Sequence, residues 1–288
     1  MSKLRCAGLS VLAVAAIVAP SAATAPATAP PVAQRIVSLS PTATEDLFAI
    51  GAGTQVVAVD DQSNYPAAAP RTKLSGYTPN AEAIAAYGPD LVVVSFNSNH
   101  IVEALRKLRI RVVSAPAAAT LPDAYAQLLE LGRATGHEAD AARVVASMKR
   151  RVAAIAAAAP RTRPALTVYH ELDPGLYSVT SKTFVGRVYS MLGLRNIADA
   201  ADRTGSGYPQ LSAEYVVSAD PQLIVLADSA CCGQSAVTVR KRVGWSTIAA
   251  VRKGGVVAVN DDIASRWGPR IVDFMQVVAA TVRAVAAR

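Results

Sequence analysis

The sequence predicts an α/β protein built as two similar lobes joined by one long α-helix, with a ligand cleft between the lobes. Three observations predict it. An element recurs: residues 80–95 read NAEAIAAYGPDLVVVS and residues 212–228 read SAEYVVSADPQLIVLAD. In each, Ala-Glu is followed by a proline and then by an apolar run. The repeat offset, 132 residues, is that of duplicated lobes rather than a solenoid of short repeats. Apolar runs long enough for strands buried on both faces alternate with capped helical stretches. Residues 121–160, between the copies, keep helical spacing almost throughout.

The elements follow in order. Lys3 and Arg5, the apolar run Leu9–Ala19 and the small-residue stretch after it have the layout of a secretory signal peptide, 1–25, cleaved after Ala23 or Ala25. An uncleaved anchor is the alternative, but the run is short for a membrane span. Cys6 leaves with the peptide, and no cysteine stands where a lipid anchor needs one. Residues 26–120 form the first lobe. RIVSLSPTATEDLFAIGA (35–52) is a strand and a capped helix, residues 80–95 a short helix and a buried strand, and LRIRVVSAP (108–116) a late strand. Residues 121–160 are the helical connector, broken at Gly136 and ended by Pro160; Glu138–Ala158 as one helix is about 30 Å long. Residues 161–288 repeat the plan. ALTVYHELDPGLYS and KTFVGRVYSMLGL match the first strand and helix, and GGVVAVNDD (254–262) is the matching late strand.

Composition narrows the function. Apolar residues are 52% and charged residues 17%, which builds a core rather than a disordered chain. Without Lys3 and Arg5, 27 basic residues face 21 acidic ones, a net charge of +6. The longest basic run is KRR and no aromatics interleave with it, so nucleic acid is not a partner. His100, His137 and His170 are too few and too scattered for a zinc or manganese carrier, and no metal site is expected. G-x-S-x-G and S-x-x-K are both missing, which leaves an exported hydrolase as a remote alternative. An exported interaction module without a transporter is another.

Ligands of two-lobed α/β proteins bind just beyond the carboxyl ends of the strands. Six of the chain's aromatic residues fall at such junctions: Tyr65, Tyr77, Phe96, Tyr177, Tyr208 and Trp267, the last with Asp262 and Arg266 in DDIASRWGPR. Any one of these could simply pack in a turn; together they read as a cleft lining. Glu82 and Glu214 stand at the same place in the two copies. A first-turn glutamate after an Asn or Ser cap is favourable to its helix by about 0.3–1 kcal/mol, which explains one but not the repetition. Cys231 and Cys232 are the only cysteines after the signal peptide. Free thiols on a loop outside the cell would oxidise, and the pair has no other partner, so a vicinal disulfide on the cleft rim is expected.

RIVSLSPTATEDLFAIGAGTQVVAV, NYP, NAEAIAAYGPDLVV, YPQLSAEYVVSADPQLIVL and SRWGPRI together resemble the substrate-binding proteins of ABC importers that have a rigid inter-lobe helix, over about residues 35–280. Among them the chain is most similar to the carriers of vitamin B12; relatives carry ferric siderophores or haem. The resemblance implies a monomeric, exported, non-enzymatic carrier that delivers a corrinoid such as cobalamin to a permease, with a siderophore or haem as the alternative cargo. It implies that Glu82 and Glu214 dock on permease arginines, that Tyr65, Tyr77, Tyr177 and Tyr208 line the cleft, and that Asp262 and Arg266 lie near the cargo. Tyr77 and Tyr208 stand where tryptophan is expected. For haem, Tyr77 or His170 would supply the axial ligand, although a lone histidine just after a strand is more often structural and His170 would then merely face the cleft rim.

Overall fold

The structure is a computed structural model that describes residues 31–288, so the signal-peptide expectation lies outside the described residues. Two parallel sheets form. The first holds β1 (Ile36–Leu39), β2 (Val56–Asp60), β3 (Arg71–Leu74), β4 (Leu91–Val94) and β5 (Arg111–Ser114), in the order β3-β2-β1-β4-β5. The second holds β6 (Thr167–Glu171), β7 (Arg195–Asn196), β8 (Leu223–Leu226) and β9 (Val256–Ala258), in the order β7-β6-β8-β9. The helices are α1 (Pro41–Ala49), α2 (Ala81–Ala85), α3 (Ile101–Lys107), α4 (Leu121–Thr135), α5 (Glu138–Ala158), α6 (Phe184–Met191), α7 (Ala213–Ala219), α8 (Ser229–Cys232), α9 (Ala236–Arg240), α10 (Ala249–Arg252), α11 (Asp261–Ser265) and α12 (Ile271–Ala286).

The duplication read from sequence is a duplication of topology. β2-β1-β4-β5 matches β7-β6-β8-β9 strand for strand, and the first sheet adds β3 at its edge. The repeated element is α2 with β4 in one lobe and α7 with β8 in the other. Its caps work as their residue types require: the Asn80 and Ser212 side chains accept the N–H groups of Ala83 and Tyr215, at 2.8 and 3.1 Å. β4 (LVVV) and β8 (LIVL) are buried along their whole length, as apolar strands covered on both faces must be.

Alternate residues of each strand feed different cores. Ile36, Leu91 and Val93 join a continuous core with Leu47, Leu128 and Met148, which runs on through Val168, Tyr189, Phe274 and Val278. Val37, Leu39, Val92 and Ile84 pack on the other face of the first sheet, and Tyr169, Ile224 and Trp245 on the other face of the second. The first core therefore takes in residues of both lobes.

The connector is a pair of helices. Thr120 caps α4 in a reciprocal box with Asp123. Gly136, at φ 75°, ends it in the left-handed region, and α5 then runs 21 residues. A Cβ on Gly132 would come 2.6 Å from the Ala141 Cβ, so only glycine lets α4 and α5 approach this closely. α5 packs on α4 on one side and on α12 on the other.

Candidate cargo site between the strand ends

The first lobe's strands end in polar and aromatic residues: Ser40 and Thr42 after β1, Gln62 after β2, Gly76 and Tyr77 after β3, and Ser95 and Phe96 after β4. These residues, with Asp60 at the end of β2, line one cavity of about 260 Å³. Its other wall comes from beyond β9: Asp262 and Ser265 of α11, then Arg266 and Trp267. Strand ends of the first sheet thus meet the segment that follows the last strand of the second. β1 lies between β2 and β4, where the strand order reverses, and that is where open α/β sheets leave a crevice. The cavity is smaller than the roughly 300–1,000 Å³ typical of a drug-sized ligand, so a large cargo would extend beyond it.

Tyr77 and Phe96 form its aromatic wall. Their rings stack 5.7 Å apart at 24° and stay 66% and 47% exposed. Two adjacent aromatic side chains left this open form an apolar platform. Gly76 makes the position possible: a Cβ there would lie 2.8 Å from the Leu39 carbonyl and 2.9 Å from Asp60 Oδ2. Below, hydroxyls lock the strand ends together. Ser95 Oγ donates to Ser40 Oγ at 2.7 Å, and Thr44 links Ser38 and Ser63, each at 2.9 Å.

The polar wall is an ion network that crosses between lobes. Arg266 is 7% exposed. It donates to Glu45 of α1 at 2.7 Å, to Asp262 at 2.7 Å and to the Gln62 carbonyl at 3.1 Å. Arg270 donates from Nε to Glu45 Oε2 at 2.7 Å and from Nη2 to Oε1. Asn64 reaches Asp262 at 2.8 Å, and the Trp267 indole donates to Gln127 of α4 at 2.9 Å. Glu45, 3% exposed, is thus held by two guanidiniums from the other lobe. Burial, then the neighbouring Glu45 charge, pushes the Asp46 carboxyl up. Burial also pushes Asp60 up, against two hydrogen bonds from Ser63.

Of the residues expected to line the cleft, Tyr77, Phe96, Asp262, Arg266 and Trp267 come together here. Tyr65 lies in a neighbouring depression with Phe48 and Pro269, its ring 4.1 Å beneath the Arg270 guanidinium. Tyr177 and Tyr208 stand on adjoining loops beyond β6 and β7, 43% and 54% exposed. Those loops are paired through Tyr177 and Gln210, and Ser178 N–H donates to the Pro209 carbonyl at 2.9 Å. Glu82 and Glu214 are exposed at the starts of α2 and α7. Hydrogen bonds to its own N–H and from Ser212 hold the Glu214 carboxyl below its ordinary range. The sulfurs of Cys231 and Cys232 lie within bonding distance, on an exposed turn.

One expectation is corrected. His170 does not face the rim: it is fully buried on β6, bonded to the Tyr189 hydroxyl at 2.5 Å and packed on Phe274. Burial pushes its pKa down to about 3, so the ring is neutral. It is buried because both faces of β6 are covered, and its parity with Val168 places it on the α6 and α12 side. Sequence reading missed Glu45, Asp60 and Arg270. Glu45 and Asp46 are adjacent acids on a short helix, which ordinarily marks a solvated face; nothing local announces that an arginine pair more than 200 residues away covers them.

The periplasmic binding protein family profile matches residues 36–263. The chain belongs to this family. Proteins similar to it include a cobalamin-binding protein of Halobacterium salinarum, 38% identical over 84% of this chain and 67% of its own length. An uncharacterized ABC transporter substrate-binding lipoprotein of Bacillus subtilis is 31% identical over 86% of this chain and 80% of its own. The fold matches that of a periplasmic haem-binding protein of Roseiflexus sp. RS-1 with a TM-score of 0.75, at 22% identity, covering 88% of this chain and 99% of that one. Periplasmic binding proteins of this fold thus hold different cargoes, so the cargo has to be argued from the site. No helix among the described residues is long and apolar enough to cross a membrane.

Proposed function

We propose that this periplasmic binding protein captures a corrinoid such as cobalamin outside the cytoplasm and hands it to an ABC permease, without catalysing a reaction. The observation that carries the reading is the cavity where the first sheet's strand ends meet α11, with the open Tyr77–Phe96 platform on one wall and Arg266 and Trp267 on the other. A flat macrocycle lies on the platform, and its polar rim meets Asp262, Ser95 and Gln62. Tyr177 and Tyr208 add contacts from the second lobe. The 38% identity with a cobalamin-binding protein supports the corrinoid among flat cargoes. The interlobe ion network and the α4–α5–α12 packing favour slight lobe closure over a wide hinge motion. The visible spectrum of the protein purified from cells supplied with cobalamin and haem tests the cargo. Corrinoid bands are expected; a haem Soret band or a ferric chelate charge-transfer band would overturn the assignment.

Glu82 and Glu214 are the docking carboxylates in this reading, since each stands exposed at the same turn of a duplicated element. Changing both to Ala is expected to abolish uptake in cells while leaving cobalamin affinity within twofold. Loss of cobalamin binding by that variant would remove the docking role.

A further inference from the structure

The second sheet ends in a charge cluster that the cargo site does not use directly. Glu171, the last residue of β6, is fully buried. Arg242 forks onto it with two bonds of 2.6 Å, and the Tyr169 hydroxyl donates to it at 3.2 Å. Asp228, just beyond β8, is also fully buried, and neither of its carboxylate oxygens meets a donor. The group facing it is the Glu171 carboxyl. Two carboxylates and one guanidinium leave an uncompensated negative charge in a dry place, which is costly. A single proton between the carboxyls removes that charge and gives each a hydrogen-bond partner.

Asp228 also opens the loop that carries the cysteine pair. Its carbonyl accepts the N–H groups of Cys232 at 3.2 Å and Gln234 at 3.4 Å. The Gln234 side chain accepts from Arg242 at 2.7 Å, so both ends of the loop are tied to the same cluster. The loop in turn holds α11. Asp261, the first residue of α11, accepts the N–H of Ala230 at 3.0 Å and of Cys231 at 2.7 Å. Asp262, the next residue, and Arg266 form the polar wall of the cavity.

We propose that Asp228 is a positioning residue for the cargo site and acts as a protonated acid: a hydrogen bond between its carboxyl and Glu171 holds the 228–234 loop, and the loop fixes α11 with Asp262 and Arg266. The charged and titratable groups around Asp228 are Glu171 and Tyr169 from β6, Arg242 beyond α9, and Asp261 from α11 across the loop. Burial, and then the Glu171 charge, pushes Asp228 up to about 7. As pH rises through that value a second buried negative charge appears beside Glu171, the loop is pushed from its seat, and the support under α11 loosens. Corrinoid capture is therefore strongest in mildly acidic surroundings and weakens above neutrality.

The cargo arm of the test rests on the carrier reading above; the proton arm does not. In the first arm, calorimetry gives the cyanocobalamin Kd of the mature protein at pH 6 and pH 8. If only the protonated form binds, the competent fraction falls about tenfold over that interval, so wild type is expected to weaken about tenfold. Asp228→Asn, which stays neutral and can donate to Glu171, is expected to change less than twofold. A flat wild type, or a variant that keeps the slope, would overturn the proposal. In the second arm, carboxyl NMR follows the aspartates of the cargo-free wild type. The Asp228 resonance, assigned through its own backbone and so told apart from Asp46 and Asp60, which burial also raises, is expected to titrate near pH 7 and to vanish in Asp228→Asn. If Asp228 of the wild type titrates below pH 5, the shared proton is refuted whether or not cobalamin binds and whether or not the variant folds. A resonance near 7 with no cobalamin binding at either pH would overturn the cargo reading and leave the proton-held loop supported.

Discussion

Each lobe buries a glutamate near the end of its central strands, and the two are treated differently. Glu45 of the first lobe is held by Arg266 and Arg270, both supplied by the other lobe. Glu171 of the second is held by Arg242 of its own lobe and shares its site with a second acid, Asp228. The first cluster sets two guanidiniums against the carboxylates of Glu45 and Asp262 and spans the lobes. The second is one positive charge short and stays within its lobe. Duplication copied the strands and helices but not the electrostatics, and the difference assigns the work: one cluster ties the lobes together, the other responds to protons.

The largest effect should come from breaking the crossing cluster. Glu45→Ala takes from buried Arg266 one of its two carboxylates and from half-buried Arg270 its carboxylate, and removing one partner of a buried ion pair costs about 3–5 kcal/mol. Denaturant unfolding is expected to show that loss. A loss below about 1 kcal/mol would mean that the two arginines find solvent and that the lobes are not tied there.

The next separates the two ends by pH. His170 is neutral in the core, with its pKa at about 3 against an unfolded value of about 6.5. Its folded value is depressed, so its contribution is fully present above the unfolded pKa and is lost as pH falls from about 6.5 toward 3. At full extent this amounts to about 5 kcal/mol. Asp228 has the opposite sign: its folded pKa is raised, so its contribution is present near pH 4 and lost as pH rises through about 7. His170→Phe should flatten the acid limb of a stability-against-pH curve and leave the limb between pH 6.5 and 8 unchanged. An acid limb as steep in the variant as in wild type would place the proton uptake elsewhere.

A smaller effect sharpens the contrast between the platform and the neighbouring Tyr65 depression. Tyr77→Ala and Phe96→Ala each remove a stacked face, and each should weaken cobalamin by tenfold or more, about 1.4 kcal/mol. Tyr65→Ala, whose ring holds Arg270 outside the cavity, should change affinity less than Tyr77→Ala. The reverse order in calorimetry would move the cargo to the Tyr65 depression.

The smallest concerns the cysteines. We propose that Cys231 and Cys232 form a vicinal disulfide, which closes a minimal loop and so contributes about 1 kcal/mol or less to stability. Alkylation without reduction, followed by mass spectrometry, should find the peptide unmodified and two hydrogens lighter. Two alkyl adducts would show free thiols. Changing both to Ser should leave the melting temperature within a few degrees.

Much of the plan was legible because it rests on local signals. Polar caps at Asn80 and Ser212, apolar runs in β4 and β8, and Gly136 mark their elements without reference to the rest of the chain. The aromatic wall was legible for the same reason: Tyr77 and Phe96 follow strand ends directly. The ion clusters were not. Glu45 meets Arg266 and Arg270 over separations of 221 and 225 residues, and Glu171 meets Arg242 over 71. No spacing rule links such pairs. The rim position of His170 failed for a related reason: β6 is buried on both faces, and the α6 and α12 residues that cover His170 lie far along the chain.

The central claim is that the strand-end cavity holds a corrinoid. Isothermal titration of cargo-free protein with cyanocobalamin, and in parallel with haemin, tests it most directly. The account predicts one saturable cobalamin site per chain at pH 6, with haemin binding more weakly. Saturable haemin binding with no heat from cobalamin would contradict it.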